Sequence, residues 1–191
     1  MRKIFSKTSS AFSGILPWII FSFLPKHSQL SIDLSVMFVF VCAIFLSYAD
    51  LKRKFLLPWI TILFFGFCLI AIVFLKLNWL STHTGIVTNL VLALTAWGSL
   101  LIGKPFTLQY AKEKTTPDKW HDPIFIFINR FLTIAWGIIF LFALLINIAQ
   151  SYSPTILLWT NNWLTALTYL FGAWLSVKFP TWYVARIKRN K

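Results

Sequence analysis

The sequence predicts an all-α membrane protein: a polytopic bundle of six transmembrane helices with both termini on the cytoplasmic side. Three observations lead there. First, 58% of the 191 residues are hydrophobic and only 12% are charged, whereas charged residues make up about a quarter of an ordinary soluble domain. Second, six apolar runs follow one another along the chain, most of them near the ~20 residues that a membrane-crossing helix needs. Third, all but two of the eighteen Lys and Arg residues, the exceptions being Lys26 and Lys76, fall at the two termini, in alternate connections between those runs or, for Arg130, at the matching edge of the fifth run. Short basic segments resist translocation, so such segments mark the cytoplasmic side.

The formal net charge of +13 could suggest a nucleic-acid partner. Here the cations flank apolar runs instead of forming one stripe, which excludes that class. The bilayer itself is the expected partner, its anionic headgroups gaining about 1 kcal/mol per nearby Lys or Arg. A homo-oligomer is compatible with the same composition.

The first run, residues 11–24, is short and contains Pro17, which starts or kinks a helix. The basic Met1-Arg2-Lys3 start imitates a secretory signal, but Ser22-Phe23-Leu24-Pro25-Lys26 has no small-x-small cleavage site, so a retained first helix is expected. If this run lies flat in the interface, five spans remain and Arg2, Lys3 and Lys7 move to the disfavoured side. The second run, 32–48, is slightly short. The third to sixth, at 56–75, 85–102, 125–149 and 156–177, are long enough to cross. A basic tail, 178–191, closes the chain. Leu16-Pro17-Trp18-Ile19 recurs as Leu57-Pro58-Trp59-Ile60. Pro suits a first helical turn and Trp the headgroup layer, which explains the repeat without a duplication. Cys42 and Cys68 lie within apolar runs and read as small hydrophobes, not as a disulfide.

Helices in lipid associate through close packing and interhelical hydrogen bonds, and small residues mark those faces. Asn89, Ala93, Ala96, Ser99 and Gly103 share one face of the fourth run. Asn161, Thr165, Thr168, Gly172 and Ser176 do so in the sixth, and Thr133, Gly137, Ala143 and Asn147 form a looser stripe in the fifth. The last three helices are therefore expected to form the packed heart, with the bulkier earlier ones outside, and with Trp97 and Trp136 packed at depth. Asn89, Asn147, Asn161 and Asn162 fall near the outer ends. They either line a small polar pocket open to the outer leaflet or hold helices together, and the second reading is preferred.

Chemistry-bearing groups are scarce. His27 and His83 lie in outer connections and His121 inside, so no metal site is expected, and no cofactor motif is present. No Asp, Glu, Lys or His occupies the middle of a run, which argues against proton-coupled transport. Asp118, His121 and Asp122 are the only acid/base candidates for an enzyme, and a non-enzymatic role is expected.

The most distinctive connection is the inner loop 104–122. Phe106 and Tyr110 are four apart and share a helical face, Lys104, Lys112 and Lys114 are available to phosphates, and a short interfacial helix is expected there. Thr116 and Pro117 suit the start of a second short helix with Trp120 as anchor. Arg130, at the inner edge of the fifth helix, should snorkel to headgroups or pair with Asp118 or Asp122. Lys104, Phe106, Tyr110, Lys112, Trp120 and Arg130 are thus the candidate partner or lipid contacts. Asn89, Gly103, Asn147, Asn161, Thr165 and Gly172 are the candidate packing or pocket residues.

Lys104-Pro105 at a helix end, a basic loop with Trp120, Asn129 within Phe127-Ile128-Asn129-Arg130, Ala135-Trp136 and Asn147 together resemble the bacterial intracellular septation protein A family. Leu16-Pro17 and the Lys52-Arg53-Lys54 turn fall where that family has comparable features. The resemblance implies a non-enzymatic, multi-pass protein of the bacterial inner membrane. Its implied role is cell-envelope maintenance, with envelope or division proteins as partners.

Overall fold

The computed structural model describes residues 14–25, 28–152 and 161–189, all helix and connection. Arg2, Lys3, Lys7, Lys26, His27, the expected beginning of the sixth span at 156–160, and the side chains of Asn161 and Asn162 lie outside the described residues. The helices are α1 (Leu16–Phe23), α2 (Gln29–Lys52), α3 (Leu56–Cys68, continued as a π-helical segment over Leu69–Phe74), α4 (Asn78–Leu101), α5 (Phe106–Glu113), α6 (Pro123–Tyr152) and α7 (Asn161–Arg189). Four of them, α2, α3 with its π segment, α4 and α6, are long and apolar enough to cross a membrane. At about 1.5 Å per residue a 24-residue helix such as α2 or α4 spans about 36 Å, more than the ~30 Å hydrocarbon layer.

Each boundary has a local cause. Ser28 caps α2 through a reciprocal capping box with Ser31. Lys54, with φ 59°, ends the turn into α3, and Lys76, with φ 51°, ends the π segment. Gly103, with φ 76°, terminates α4 in the left-handed conformation that glycine adopts freely. α4 also carries a kink at His83, whose ring bonds back to the Trp79 carbonyl at 2.9 Å.

The helices run up and down, which gathers the basic connections at one end of the bundle. α4 packs most extensively on α6, α6 on α7, and α2 on α3. Glycines let large rings seat directly on neighbouring backbones. Trp97 of α4 lies on Gly137 of α6, Trp136 of α6 lies on Gly172 of α7, and Asn147 of α6 lies on Gly85 of α4. The small-residue faces of the last three helices thus do meet.

The earlier helices are not peripheral, contrary to the sequence expectation. α1 is wedged into the core: Trp18 is 1% exposed and stacks on Phe64 at 5.0 Å, while its indole N–H donates to Thr61 at 2.7 Å. α1 also contacts α7. Leu57 and Tyr110 lie beside Gly14 just ahead of α1, and Phe23 at its last turn meets Trp163 edge-on at 5.6 Å. Val36 and Val39 of α2 and Phe65 and Ile72 of α3 are equally buried. Bulky side chains can pack as tightly as small ones when a short aromatic helix fills the space between them.

α7 continues through Pro180 to Arg189, so the basic tail is helical as far as Arg189. The reason is aromatic packing: Phe131 stacks on Phe179 at 4.2 Å and Phe127 on Tyr183 at 5.2 Å. Both pairs are spaced by four along their helices, so one face of α7 zips onto the first turns of α6.

Candidate functional site at the basic end

The loop after α4 is built into the bundle. The Phe106 N–H donates to the Ser99 hydroxyl at 3.1 Å, and the Leu56 N–H donates to Gln109 Oε1 at 2.9 Å. The Thr107 hydroxyl donates to the Asn129 carbonyl at 2.8 Å and lies 2.7 Å from the Thr133 hydroxyl. Arg53 bridges Asp50 at 3.6 Å and Glu113 at 3.3 Å, joining the α2–α3 turn to the end of α5. Thus α5 is fastened to α3, α4, α6 and the intervening turn at once.

This placement corrects the reading of α5 as a helix resting in the headgroup layer. Phe106 is 2% exposed and Tyr110 7%, and both belong to the protein core, with Phe55 meeting Tyr110 edge-on at 4.9 Å. Their shared face is the one expected, but it is turned to the bundle and not to a partner. Lys104 and Arg130 are exposed, and Lys112 lies 5.1 Å above the Trp120 ring. The second short helix is a single 3-10 turn, Pro117–Lys119, after which the Trp120 indole donates to the Thr115 carbonyl at 3.2 Å. The Thr116 hydroxyl holds the Asp118 carboxyl below the usual carboxylate range. Asp122 accepts from the Ile124 N–H at 2.8 Å, opening α6 as an N-terminal acid.

Between α5, α6 and α7 lies a cavity of about 300 Å³, at the lower end of ordinary ligand pockets. Its walls are largely apolar, with Phe106, Leu132 and Trp136 among them, and exposed Lys114 marks its open side. The Tyr110 hydroxyl is buried beside Gly14, closed off from this space, and makes no hydrogen bond among the described residues. Burial, reinforced by the negative charge of Asp50, raises its pKa well above the usual tyrosine value, so it stays a donor. Pro180 lines the cavity beside Ser176 and has no N–H to give to the Ser176 carbonyl four residues back. The sequence carried a trace of this site in the Phe106–Tyr110 spacing. The contributions of Asn129, Trp136 and Pro180 depend on three helices converging.

The remaining candidates sit elsewhere. Asn89 is 2% exposed; its Oδ1 accepts from the Tyr169 hydroxyl at 2.7 Å and its Nδ2 donates to the Gly85 carbonyl at 2.9 Å. Asn147 Nδ2 donates to the Ala143 carbonyl at 2.7 Å. Thr165 is buried. Gly172 seats Trp136, whose indole N–H donates to the Ser176 hydroxyl at 2.9 Å. Gly103 is exposed and serves the α4 terminus. Asp118, His121 and Asp122 are all exposed on the connection between α5 and α6. Among the described residues, no three His, Cys, Asp or Glu side chains come together as a metal site would require.

Comparison with known protein families, with curated proteins and with solved structures finds no match to this chain.

Proposed function

We propose that the chain is a non-enzymatic, multi-pass protein of the bacterial inner membrane that serves the envelope as a scaffold associated with septation. In this reading it crosses six times with both ends in the cytoplasm, α1 and α7 being the two crossings beyond the four long apolar helices. The charge placement supports the sidedness, and the burial of α1 among the other helices supports its place in the bundle.

One observation carries the scaffold reading. The connection 104–122 is held by hydrogen bonds and an ion pair to three helices and a turn. It therefore holds in place the backbone that carries Lys104, Lys112 and Trp120, with Lys112 seated over the Trp120 ring, and Arg130 follows Asn129 on α6. A preorganised face loses little entropy when a partner docks. The alternative, a small uncoupled transporter or lipid translocator opening through an outer-leaflet polar pocket, draws less from the geometry, because the Asn89 amide is spent inside the bundle.

The test is photo-crosslinking in growing cells, with a photoreactive residue at Trp120 or at Arg130. Adducts to division or elongation proteins are expected, and they should diminish when Arg53→Ala and Gln109→Ala loosen α5. Cells lacking the protein that keep normal length and septum placement would overturn the reading.

A further inference from the structure

Thr165 differs from other buried threonines of the bundle. Thr61, Thr84, Thr95 and Thr133 each turn the hydroxyl back to the carbonyl four residues earlier, at 2.7–2.9 Å, a habit of threonines inside helices. Thr165 is 7% exposed, and its hydroxyl makes no hydrogen bond among the described residues. Leaving a buried hydroxyl without a partner is costly, so what surrounds this one decides its role.

The neighbouring helices bring polar groups to its level. Thr165 precedes Tyr169 by four residues and shares its face of α7. That face meets α4, where the Tyr169 hydroxyl donates to Asn89 Oδ1 at 2.7 Å, and α6, where the Tyr169 ring meets Phe140 edge-on at 5.8 Å. α6 and α7 run antiparallel, since Trp136 meets Gly172 and Phe140 meets Tyr169. One turn back from Tyr169 is therefore one turn on from Phe140, and Asn147 lies only about 4.5 Å further along the axis. Its Nδ2 donates to the Ala143 carbonyl at 2.7 Å, while its Oδ1 rests on Gly85 of α4 with no donor among the described residues. Apart from His83 near its start, α4 carries no acidic or basic side chain, nor does α6 after Arg130 or α7 before Lys178. An ion would have no counter-charge here.

We propose that a water molecule is bound inside the bundle at the end opposite the basic connections, bridging the Thr165 hydroxyl to Asn147 Oδ1 beside the Asn89–Tyr169 hydrogen bond. The ligand must be neutral, must donate to an amide oxygen and must pair with a hydroxyl. Water meets all three conditions, and buried polar groups left over by the fold are where proteins hold internal water. The bridge joins α6 to α7 almost as firmly as a direct hydrogen bond would.

The experiment is a double-mutant cycle on the full chain in mixed micelles, joined to water-edited solid-state NMR of the same chain in lipid bilayers. Thr165→Val removes the hydroxyl and should lower the folding equilibrium constant about three- to tenfold, the range for polar contacts between membrane helices. In an Asn147→Leu background the same change should cost less than half as much, because the water has already lost its second anchor. Thr95→Val, which removes a hydroxyl bonded within its own helix, is the control and should change stability by about twofold at most. In the bilayer, magnetisation from water should reach the Thr165 side chain and not that of Thr95. A Thr165→Val chain as stable as the natural one, or more so, would overturn the proposal, since an apolar side chain relieves a hydroxyl that has no partner. Additive effects at Thr165 and Asn147, or no transfer from water to Thr165, would overturn it too. Should Thr165→Val fail to fold, the spectrum of the natural chain decides alone. None of these outcomes depends on a septation partner, so the water site and the scaffold role stand or fall separately.

Discussion

Gly172→Ala probes the packing of the bundle most directly. A Cβ added at Gly172 would lie 2.8 Å from Cη2 and Cζ3 of Trp136 and 2.9 Å from Cδ1 of Ile139. The ring cannot simply slide away. Its indole N–H is held by the Ser176 hydroxyl at 2.9 Å, and its other edge packs on Phe140 with centroids 5.3 Å apart. Overpacking of this kind costs about 1–3 kcal/mol, and an interhelical hydrogen bond lost in the adjustment adds about 0.6 kcal/mol. A loss of about 2–3 kcal/mol is therefore expected, read as the shift in the unfolding midpoint in detergent. Gly98 supplies the control, since nothing lies within 4 Å of a Cβ there. Gly98→Ala should be neutral or stabilising by up to about 1 kcal/mol through helix propensity alone. The decisive measurement is the double-mutant cycle with Trp136→Phe, which shortens the ring. The cost of Gly172→Ala should fall by about 1 kcal/mol or more in that background, as for residues in direct contact. Additive effects would refute the seating of Trp136 on Gly172.

Other expectations can be tested in the same preparation. Tyr169→Phe removes the hydrogen bond to Asn89 and should cost about 0.6–1.7 kcal/mol, while Asn89→Leu in that background should add little beyond packing changes. Lys76→Met removes the cation that meets the largely buried Asp33 carboxylate at 2.6 Å and leaves it only the Gln29 amide, which donates at 2.9 Å. Lys76 is itself half exposed, so a loss of about 1–2 kcal/mol is expected, between a surface and a buried pair, and Asp33→Asn in the same chain should recover most of it. Trp18→Ala should cost about 3–5 kcal/mol. The same change at the corresponding Trp59, which is exposed, should cost much less, separating the two copies of the Leu-Pro-Trp-Ile repeat. Tyr110 has a raised pKa in the folded chain. Its contribution is complete below the unfolded tyrosine value of about 10 and declines above it, as the unfolded chain loses the proton first. Thermal midpoints measured from neutral to alkaline pH should therefore fall less steeply in Tyr110→Phe than in the natural chain.

Residue order alone determined the helical class, the apolar segments and the basic ends, because span length and cation placement respond to the bilayer and not to neighbouring helices. The small residues that touch were also readable as types: Gly137 and Gly172 stood out because little else lets a helix come close. What they touch was not readable, since Trp97, Trp136 and the Asn89–Tyr169 pair meet across dozens of residues. The side to which Phe106 and Tyr110 turn was equally hidden. An amphipathic turn has the same pattern whether its apolar face meets lipid or protein, and only the hydrogen bonds to Ser99, Gln109 and Asn129 decide between them. Tertiary packing likewise extended α7 past Pro180, because Phe179 and Tyr183 find Phe127 and Phe131 only once α6 stands alongside. The cavity arises in the same way: it is the space left where three helices converge around a proline, and no single segment encodes it.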